Sequence, residues 1–236
     1  LDTLKVNIGN LPDTLDPQKA SFTNEFAHLQ QIYEGLTTLD ENLETVPGAA
    51  SSWTYNTDAT EVTFNLRPNL KYSDGSLLNA RRFEYAILRA IDPKTGGEYA
   101  STLDDIDGAL EWRSLDVSAV PPSQYSYLRS QVKVKAYTTS GVPCTSYTQT
   151  NCLMLKIGFK KTSPIFHTIA STWVTYPAKE EKVVAGGNAW WTKAANQIGN
   201  GPFKMVTFNL NGKSTFVANS YYWGGLAKYD IEYSYI

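Results

Sequence analysis

Cys144 and Cys152 are the residues whose type and spacing most directly suggest covalent chemistry. They are the only two cysteines in the 236 residues, and they lie close together between two alternating runs, "VKVKAY" and "LMLKIGF". Such runs predict strands, and the loop between them predicts a hairpin. We expect a disulfide across this loop, which would place the chain in an oxidising compartment. Two free thiols at the strand ends are the alternative.

The sequence contains no clear metal-binding site and no catalytic motif. His28 and His167 are the only histidines, and they lie far from each other and from the cysteines, so no metal site is predicted. The acidic cluster Asp104, Asp105 and Asp107 lacks the spacing of a calcium-binding loop. Both histidines fall on segments with helical periodicity and are expected to be structural or exposed. The sequence has no phosphate-binding, zinc-peptidase or serine-hydrolase motif, so we predict no catalytic residue and no cofactor.

The amino-acid composition indicates which kinds of binding partner are expected. Charged residues make up 19% of the chain and the net charge is −2, which gives no basic surface for nucleic acid. The sequence shows no long apolar run and no lipidation signal near Leu1, so we expect a soluble, mature or trimmed chain. The 15 Tyr, 9 Phe and 6 Trp suit a protein that holds its ligand with aromatic rings, and equally a β-rich core.

The first 92 residues contain two helices that can be predicted from periodicity. "TNEFAHLQQIYEG" has one apolar face and ends at Gly35. "ARRFEYAILRAI" follows Asn79, a good N-cap residue, and ends before Asp92-Pro93. Between these helices, "EVTFNLR" alternates with period two and predicts a half-buried strand. Its inward side chains are predicted to be Val62, Phe64 and Leu66.

The last third predicts one helix and then strands. In "SPIFHTIASTWVTYPAKEE" we expect a helix with Ile165, Phe166 and Ile169 buried, followed by an extended piece. "GPFKMVTFNL" and "KSTFVANSYYW" predict two strands joined by a turn, and "YDIEYSYI" predicts a closing strand.

Six segments together carry a likeness to a known family. They are "TLDPQKA", "QIYEGLTTLDENLETVPGAASSWTYN", "VTFNLRPNLKYSDGSLLNARRFEYAILRAIDP", "SPIFHTIAS", "GNGPFKM" and "NSYYWGG". In order and spacing they resemble the extracellular solute-binding proteins, family 5, which comprise the oligopeptide-, dipeptide- and nickel-binding proteins of ABC importers. The resemblance covers essentially the whole chain. The run "DPKTGGEYASTL" is most similar to the oligopeptide-binding branch.

The resemblance implies an α/β fold of the periplasmic-binding-protein class II type. Members of the family are two-lobed clamps of roughly twice this length that close on ligand by hinge motion. The chain would be the first lobe, with a mixed β-sheet flanked by helices and an inserted β-rich subdomain. We place the core of the lobe at 1–43 and 172–236 and the insertion at 44–171. The second lobe would be absent, and the strand ending at Ile236 would be the crossing point to it.

The resemblance also implies a ligand site. It places Ala20, Ser21, Phe22 and Thr23, together with the ring of Tyr99, against bound ligand. This loop precedes a helix N-terminus, where backbone N–H groups are free. Peptides bound through backbone hydrogen bonds are recognised with little dependence on their sequence. The alternative for Tyr99 is a place in the core.

Two positions depart from the family pattern. Arg82 stands in the first turn of its helix where the family usually has an acidic residue, which is unfavourable to the helix dipole by a few tenths of a kcal/mol. The hairpin that contains Cys144 and Cys152 is longer than the short turn usual in the family, so it is interpreted as an insertion.

The predicted function is therefore that of a substrate-binding component of a peptide-type ABC importer, without enzymatic activity or cofactor. Its expected partners are a peptide, an ABC permease in the membrane and the missing second lobe, with no nucleic acid. The expected location is extracellular: periplasmic or a surface lipoprotein in a bacterium. One alternative is a binding protein of the same fold for nickel, a sugar or an opine. The other is a secreted carbohydrate-active or lectin-like β domain.

Overall fold

A computed structural model describes residues 1–235 as a mixed α/β structure. The strands are β1 (Asp2–Asn7), β2 (Thr37–Leu39), β3 (Thr45–Pro47), β4 (Ala50–Tyr55), β5 (Glu61–Leu66), β6 (Val134–Tyr137), β7 (Met154–Gly158), β8 (Phe203–Phe208), β9 (Lys213–Ala218) and β10 (Tyr229–Ser234). The helices are α1 (Thr23–Ile32), α2 (Ala80–Ile91), α3 (Ala109–Arg113), α4 (Pro122–Gln131), α5 (Phe166–Ile169) and α6 (Glu180–Gly186), with 3-10 helices at Ala100–Leu103, Trp173–Thr175, Gly187–Thr192 and Ala194–Asn196. Within residues 1–235 no helix has both the length and the apolar character needed to cross a membrane.

The first sheet is built from both ends of the chain. Its strand order is β1-β10-β9-β8, with β1 parallel to β10 and the other pairs antiparallel, so the predicted mixed sheet is confirmed. Met205, Phe216 and Ile231 point from this sheet into one core cluster with Leu29 and Ile32 of α1. Each such buried side chain contributes about 1.5–3 kcal/mol. This packing fixes α1 against the sheet.

The second sheet lies under α2 and is antiparallel. Its order is β4-β5-β7-β6, and Val62, Phe64 and Leu66 of β5 are 0%, 0% and 3% exposed, as the alternation predicts. They share a core cluster with Phe83 and Ile87 of α2. The short hairpin of β2 and β3 forms a separate two-stranded sheet.

The start of α2 is stabilised in two ways. The Asn79 Oδ1 atom accepts a hydrogen bond from the Arg81 backbone N–H at 3.2 Å, so the predicted N-cap is confirmed. Arg82 is buried and forms a two-pronged ion pair with Glu181, with N–O distances of 2.6 and 2.8 Å. A carboxylate from a distant helix therefore compensates for the basic residue in the first turn.

The helix predicted around residue 165 is shorter than expected. It begins at Phe166 and ends at Ile169, so Ile165 is its N-cap residue. The side chain of Ile165 is 63% exposed, and the prediction that it is buried is wrong. Phe166 is fully buried as predicted, and Ile169, three residues further and on the same helix face, is half-buried against the same core.

Glu34 anchors the aromatic turn near the end of the chain. Its Oε1 accepts the Tyr222 hydroxyl and its Oε2 accepts the Trp223 indole N–H, both at 2.6 Å. Burial raises the pKa of Glu34, while these two hydrogen bonds oppose the rise. The turn "NSYYWGG" is thus tied to the segment that leaves α1.

The cysteine hairpin is attached to the start of α2. Strands β6 and β7 pair antiparallel, which confirms the predicted hairpin, and Cys144 and Cys152 are disulfide-bonded with their Cα atoms 5.9 Å apart. The Asn79 side-chain amide donates to the carbonyl oxygens of Ser146 and Gln149 at 3.1 and 3.2 Å. The closed loop and the helix cap therefore support one another.

Opening the disulfide should destabilise the chain. The cysteines are separated by eight positions, and a loop of this size restricts the unfolded state by about 2–3 kcal/mol. We expect reductant to lower the free energy of unfolding by that amount in urea titrations. The variant with Cys144→Ser and Cys152→Ser should have a lower free energy of unfolding than the oxidised wild type, and reductant should not change it. Equal unfolding midpoints for the wild type with and without reductant would contradict this prediction.

His28 is buried at the contact between α1 and the first sheet. Its Nδ1 lies 2.7 Å from the Asn24 carbonyl oxygen and its Nε2 lies 2.9 Å from the Tyr235 hydroxyl. Because a carbonyl can only accept, Nδ1 carries the proton and Nε2 accepts from Tyr235. Desolvation by burial lowers the pKa of His28 to about 4, against an upward effect of the Asn24 hydrogen bond.

Stability should therefore depend on pH through His28. The folded pKa of about 4 lies below the ordinary value of 6.5, so between these values the unfolded chain binds the proton first and acid favours unfolding. We expect the His28 contribution to the free energy of unfolding to fall by about 3 kcal/mol from pH 6.5 to pH 4. The difference between wild type and His28→Gln isolates this effect from other groups. A difference that is constant over this range would refute it.

Candidate ligand-binding site

The predicted site residues lie on the connection from β1 to α1. Strands β1 and β10 run parallel, and the connection leaves the carboxyl end of β1 after Asn7 and reaches α1 at Thr23. In open α/β sheets, ligands bind outside the carboxyl ends of the strands. We call residues 16–23 the ligand loop.

The residues of the ligand loop differ in exposure. Ala20 is buried at 1%, Ser21 is half-buried, Phe22 is 54% exposed and Thr23 is exposed. Tyr99 comes from another part of the chain and is 38% exposed. Four of the five predicted residues therefore lie side by side in the loop. Tyr99 is linked to them by a sixth residue: its ring packs against this residue, which in turn contacts the loop.

That sixth residue is Trp173, which the sequence reading missed. Its indole N–H donates to the Ala20 carbonyl at 3.0 Å. The Tyr99 ring meets the Trp173 ring edge-on at 5.0 Å between centroids, and the Phe26 ring of α1 stacks on Trp173 at 3.6 Å. Trp173 thus joins the loop, α1 and Tyr99 in one aromatic cluster.

A buried carboxylate holds the inner side of the ligand loop. Glu25 is 0% exposed, and it accepts the backbone N–H groups of Thr14, Ser21 and Phe22 at 2.9, 2.7 and 3.0 Å. Three charge-assisted hydrogen bonds to one carboxylate fix the loop firmly. A Glu three residues after an N-cap is half of the capping-box signature, so this contact was detectable in the sequence.

The outer side of the ligand loop keeps two unengaged backbone groups. Phe22 is extended, with φ −112° and ψ 152°. In an extended chain the carbonyl before a residue and the N–H after it point to the side opposite that residue's own N–H. Because the Phe22 N–H is bonded to Glu25, the Ser21 carbonyl and the Thr23 N–H face away from Glu25. Neither has a partner within residues 1–235, and together they form an acceptor and a donor with β-pairing geometry.

A second buried carboxylate supports the start of the loop. Asp16 is 1% exposed; its side chain accepts from Arg89 at 2.6 and 2.5 Å and from the Trp190 indole N–H at 2.9 Å. Its backbone carbonyl accepts the N–H groups of Lys19 and Ala20. The start of the loop is therefore held by hydrogen bonds to both the side chain and the backbone of Asp16.

These contacts hold the backbone of the ligand loop in place. Asp16 accepts four hydrogen bonds and Glu25 three, all from donors of the protein, so both carboxylates are engaged in holding the loop. Within residues 1–235, no three His, Cys, Asp or Glu side chains are grouped so that they could hold a metal ion. What faces outward is a backbone donor–acceptor pair and exposed aromatic surface.

Comparison with known proteins decides the family. The model of "Bacterial extracellular solute-binding proteins, family 5 Middle" matches residues 44–236. The chain belongs to this family. The resemblance to family 5 that the sequence motifs indicated is thereby confirmed.

Relatives within family 5 cover nearly all of this chain. The periplasmic murein peptide-binding protein MppA of Escherichia coli is 32% identical over 219 residues, covering 92% of the chain and 36% of its own length. The oligopeptide-binding protein OppA of Bacillus subtilis is 31% identical over 222 residues, covering 94% of the chain and 36% of its own length. The substrate-binding domain of an oligopeptide ABC transporter from Bacillus anthracis has a TM-score of 0.83 at 25% identity, over 98% of this chain and 41% of that one. The class II fold is thus confirmed, and the chain spans well under half of the length of these relatives.

Proposed function

We propose that this chain is the first lobe of the substrate-binding component of a peptide-type ABC importer. The observation that carries the proposal is the outward pair formed by the Ser21 carbonyl and the Thr23 N–H, in a family whose relatives include murein peptide- and oligopeptide-binding proteins. An extended peptide has matching groups at every residue. It adds to such an edge as one more strand.

Capture then proceeds through the peptide backbone. The peptide donates an N–H to the Ser21 carbonyl and accepts the Thr23 N–H, so recognition by this lobe depends little on peptide sequence. Glu25 and Asp16 hold these two groups in place, which reduces the entropy lost on binding. The exposed faces of Phe22 and Tyr99 contact the side chains of the peptide.

The organisation of the lobe follows the two large sheets. We assign 1–43 and 172–236 to the core and 44–171 to an inserted subdomain, supported by the first sheet's origin at both ends of the chain and the second sheet's origin between them. A second lobe closes over the peptide by hinge motion. Because half of the site is then missing here, this chain alone binds peptide weakly.

The remaining parts of the proposal concern context. The protein works outside the cytoplasmic membrane of a bacterium, in the periplasm or tethered to the surface as a lipoprotein, and passes peptide to an ABC permease. It is not an enzyme, in keeping with relatives that are named as binding proteins. It needs no cofactor, and nucleic acid is not a partner.

Calorimetry on the complete two-lobed protein with a peptide library tests this function. We expect several oligopeptides to bind and to raise its melting temperature. Nickel, sugars and opines serve as the comparison cargoes, and a glycoside panel tests for hydrolysis. The proposal fails if no peptide of any length binds, and binding of one of these other compounds would then identify the cargo class.

A further inference from the structure

Three residues of segment 44–171 support the ligand loop, although the sheet of this segment lies elsewhere: two contact the loop directly and the third acts through Trp173. They come from the end of α2, from the loop after α2 and from the position just before the 3-10 helix Ala100–Leu103. The residues concerned are Arg89, Gly97 and Tyr99. None of them is needed to complete the second sheet, which raises the question of what they do for the loop.

Arg89 makes the strongest of these contacts. Its guanidinium binds both oxygens of Asp16 at 2.6 and 2.5 Å and the Gln18 side-chain oxygen at 2.7 Å. The Gln18 amide donates in turn to the carbonyls of Val174 and Tyr176 at 3.1 and 3.0 Å. Arg89 therefore fixes the first residues of the loop to the segment beside Trp173. The planar guanidinium presents two nitrogens to these three oxygens, whereas a lysine offers a single one.

Gly97 provides a second contact by its lack of a side chain. A Cβ atom at this position would lie 2.0 Å from the Gln18 carbonyl oxygen. That distance is far too short for any side chain, so the backbone after α2 packs directly against the backbone of the ligand loop. An alanine at Gly97 would have to push the loop away.

Tyr99 provides the third contact, through the aromatic cluster. Its ring lies 5.0 Å from the Trp173 ring and 6.4 Å from the Phe26 ring, both edge-on. Trp173 donates to the Ala20 carbonyl. The three contacts thus reach the loop at Asp16, Gln18 and Ala20, just before the proposed binding pair.

We propose that segment 44–171 acts as a positioning element for the ligand loop, and that Arg89 is its chief positioning residue. Through Arg89 and Gly97, to which the proposed function gives no contact with the peptide, the segment holds the Ser21 carbonyl and the Thr23 N–H in their pairing orientation. The consequence for ligand affinity rests on the proposed function; the consequence for loop order does not.

Two measurements test this inference separately. Amide hydrogen exchange in this 236-residue chain reports the order of the loop through Lys19, Ala20, Ser21 and Phe22, and peptide calorimetry in the complete protein reports affinity. The variants are Arg89→Met, Arg89→Lys and Gly97→Ala. Arg113→Met is the matched control, because Arg113 makes a comparable two-pronged pair with Asp104 inside the same segment.

We expect Arg89→Met and Gly97→Ala to lower protection of these loop amides and to weaken peptide binding, each by about tenfold, because a disordered loop must be ordered on binding. Arg89→Lys should fall between them and wild type, and Arg113→Met should match wild type in both measurements. Amides of β5 should lose only the protection that the change in the global free energy of unfolding accounts for, whereas the loop amides should lose more. Should Arg89→Met not fold, Gly97→Ala and Arg89→Lys decide the matter.

Unchanged protection of the loop in Arg89→Lys and Gly97→Ala would overturn the inference. The inference would also be overturned if a variant whose loop amides exchange faster bound peptide with wild-type affinity. If the wild-type complete protein binds no peptide, the proposed function fails, whereas the exchange data still decide whether segment 44–171 orders the loop.

Discussion

Replacing Glu25 with alanine should lower the free energy of unfolding by about 3–5 kcal/mol, because three backbone donors lose a charged acceptor that is itself fully buried. The donors are the N–H groups of Thr14, Ser21 and Phe22. Chemical denaturation of the wild type and the variant measures the difference. A loss of this size is a large share of the stability of an ordinary domain.

The controls separate the hydrogen bonds from the loss of side-chain volume. Glu25→Gln keeps one acceptor oxygen and should cost about half as much. Glu98→Ala removes an exposed carboxylate and should change stability by less than about 0.5 kcal/mol. Equal stabilities for Glu25→Ala and Glu98→Ala would show that Glu25 does not hold the loop.

Replacing Asp16 with alanine should also lower the free energy of unfolding by about 3–5 kcal/mol, because it leaves the buried guanidinium of Arg89 without its counter-charge. The two side chains are only 1% and 12% exposed. The Trp190 indole N–H also loses its acceptor. Urea denaturation measures the cost.

Asp13→Ala is the matched control for Asp16→Ala. Asp13 lies three residues earlier in the same connection and is exposed, so its removal should leave the unfolding midpoint within experimental error of the wild type. The double variant Asp16→Ala with Arg89→Met should recover part of the loss, since it removes the unpaired charge. If the loss in the double variant equals the sum of the losses in the two single variants, the two side chains are not coupled, and the account of a buried pair is contradicted.

Local patterns in the sequence predicted much of the fold. The period of two in "EVTFNLR" identified the inward face of β5, and the apolar stripe with Asn79 in front identified α2 at its observed bounds. These predictions hold because the signals come from neighbours along the chain. Where only a short stretch decides the outcome, prediction was poorer: α5 has four residues, and Ile165 was assigned to the wrong side of its start.

The support of the ligand loop was much harder to predict. Arg89 meets Asp16 across 73 positions, and Trp173 meets Ala20 across 153. No spacing rule connects residues so far apart, so the sequence indicated the loop through family resemblance but not what holds it. Glu25 is the exception, because its distance from the N-cap is a local signal.

The central claim is that the Ser21 carbonyl and the Thr23 N–H pair with a peptide backbone. Thr23→Pro removes that N–H with little other change, since proline suits the first position of a helix and Phe22 is already extended as a residue before proline must be. Thr23→Ala is the control, because it alters the side chain and keeps the N–H.

The decisive measurement is the peptide affinity of the complete protein carrying each change. Loss of one hydrogen bond is worth about 1–1.5 kcal/mol, so Thr23→Pro should bind about tenfold more weakly than Thr23→Ala, at equal melting temperature without peptide. Thr23→Pro binding peptide as tightly as Thr23→Ala would contradict the account.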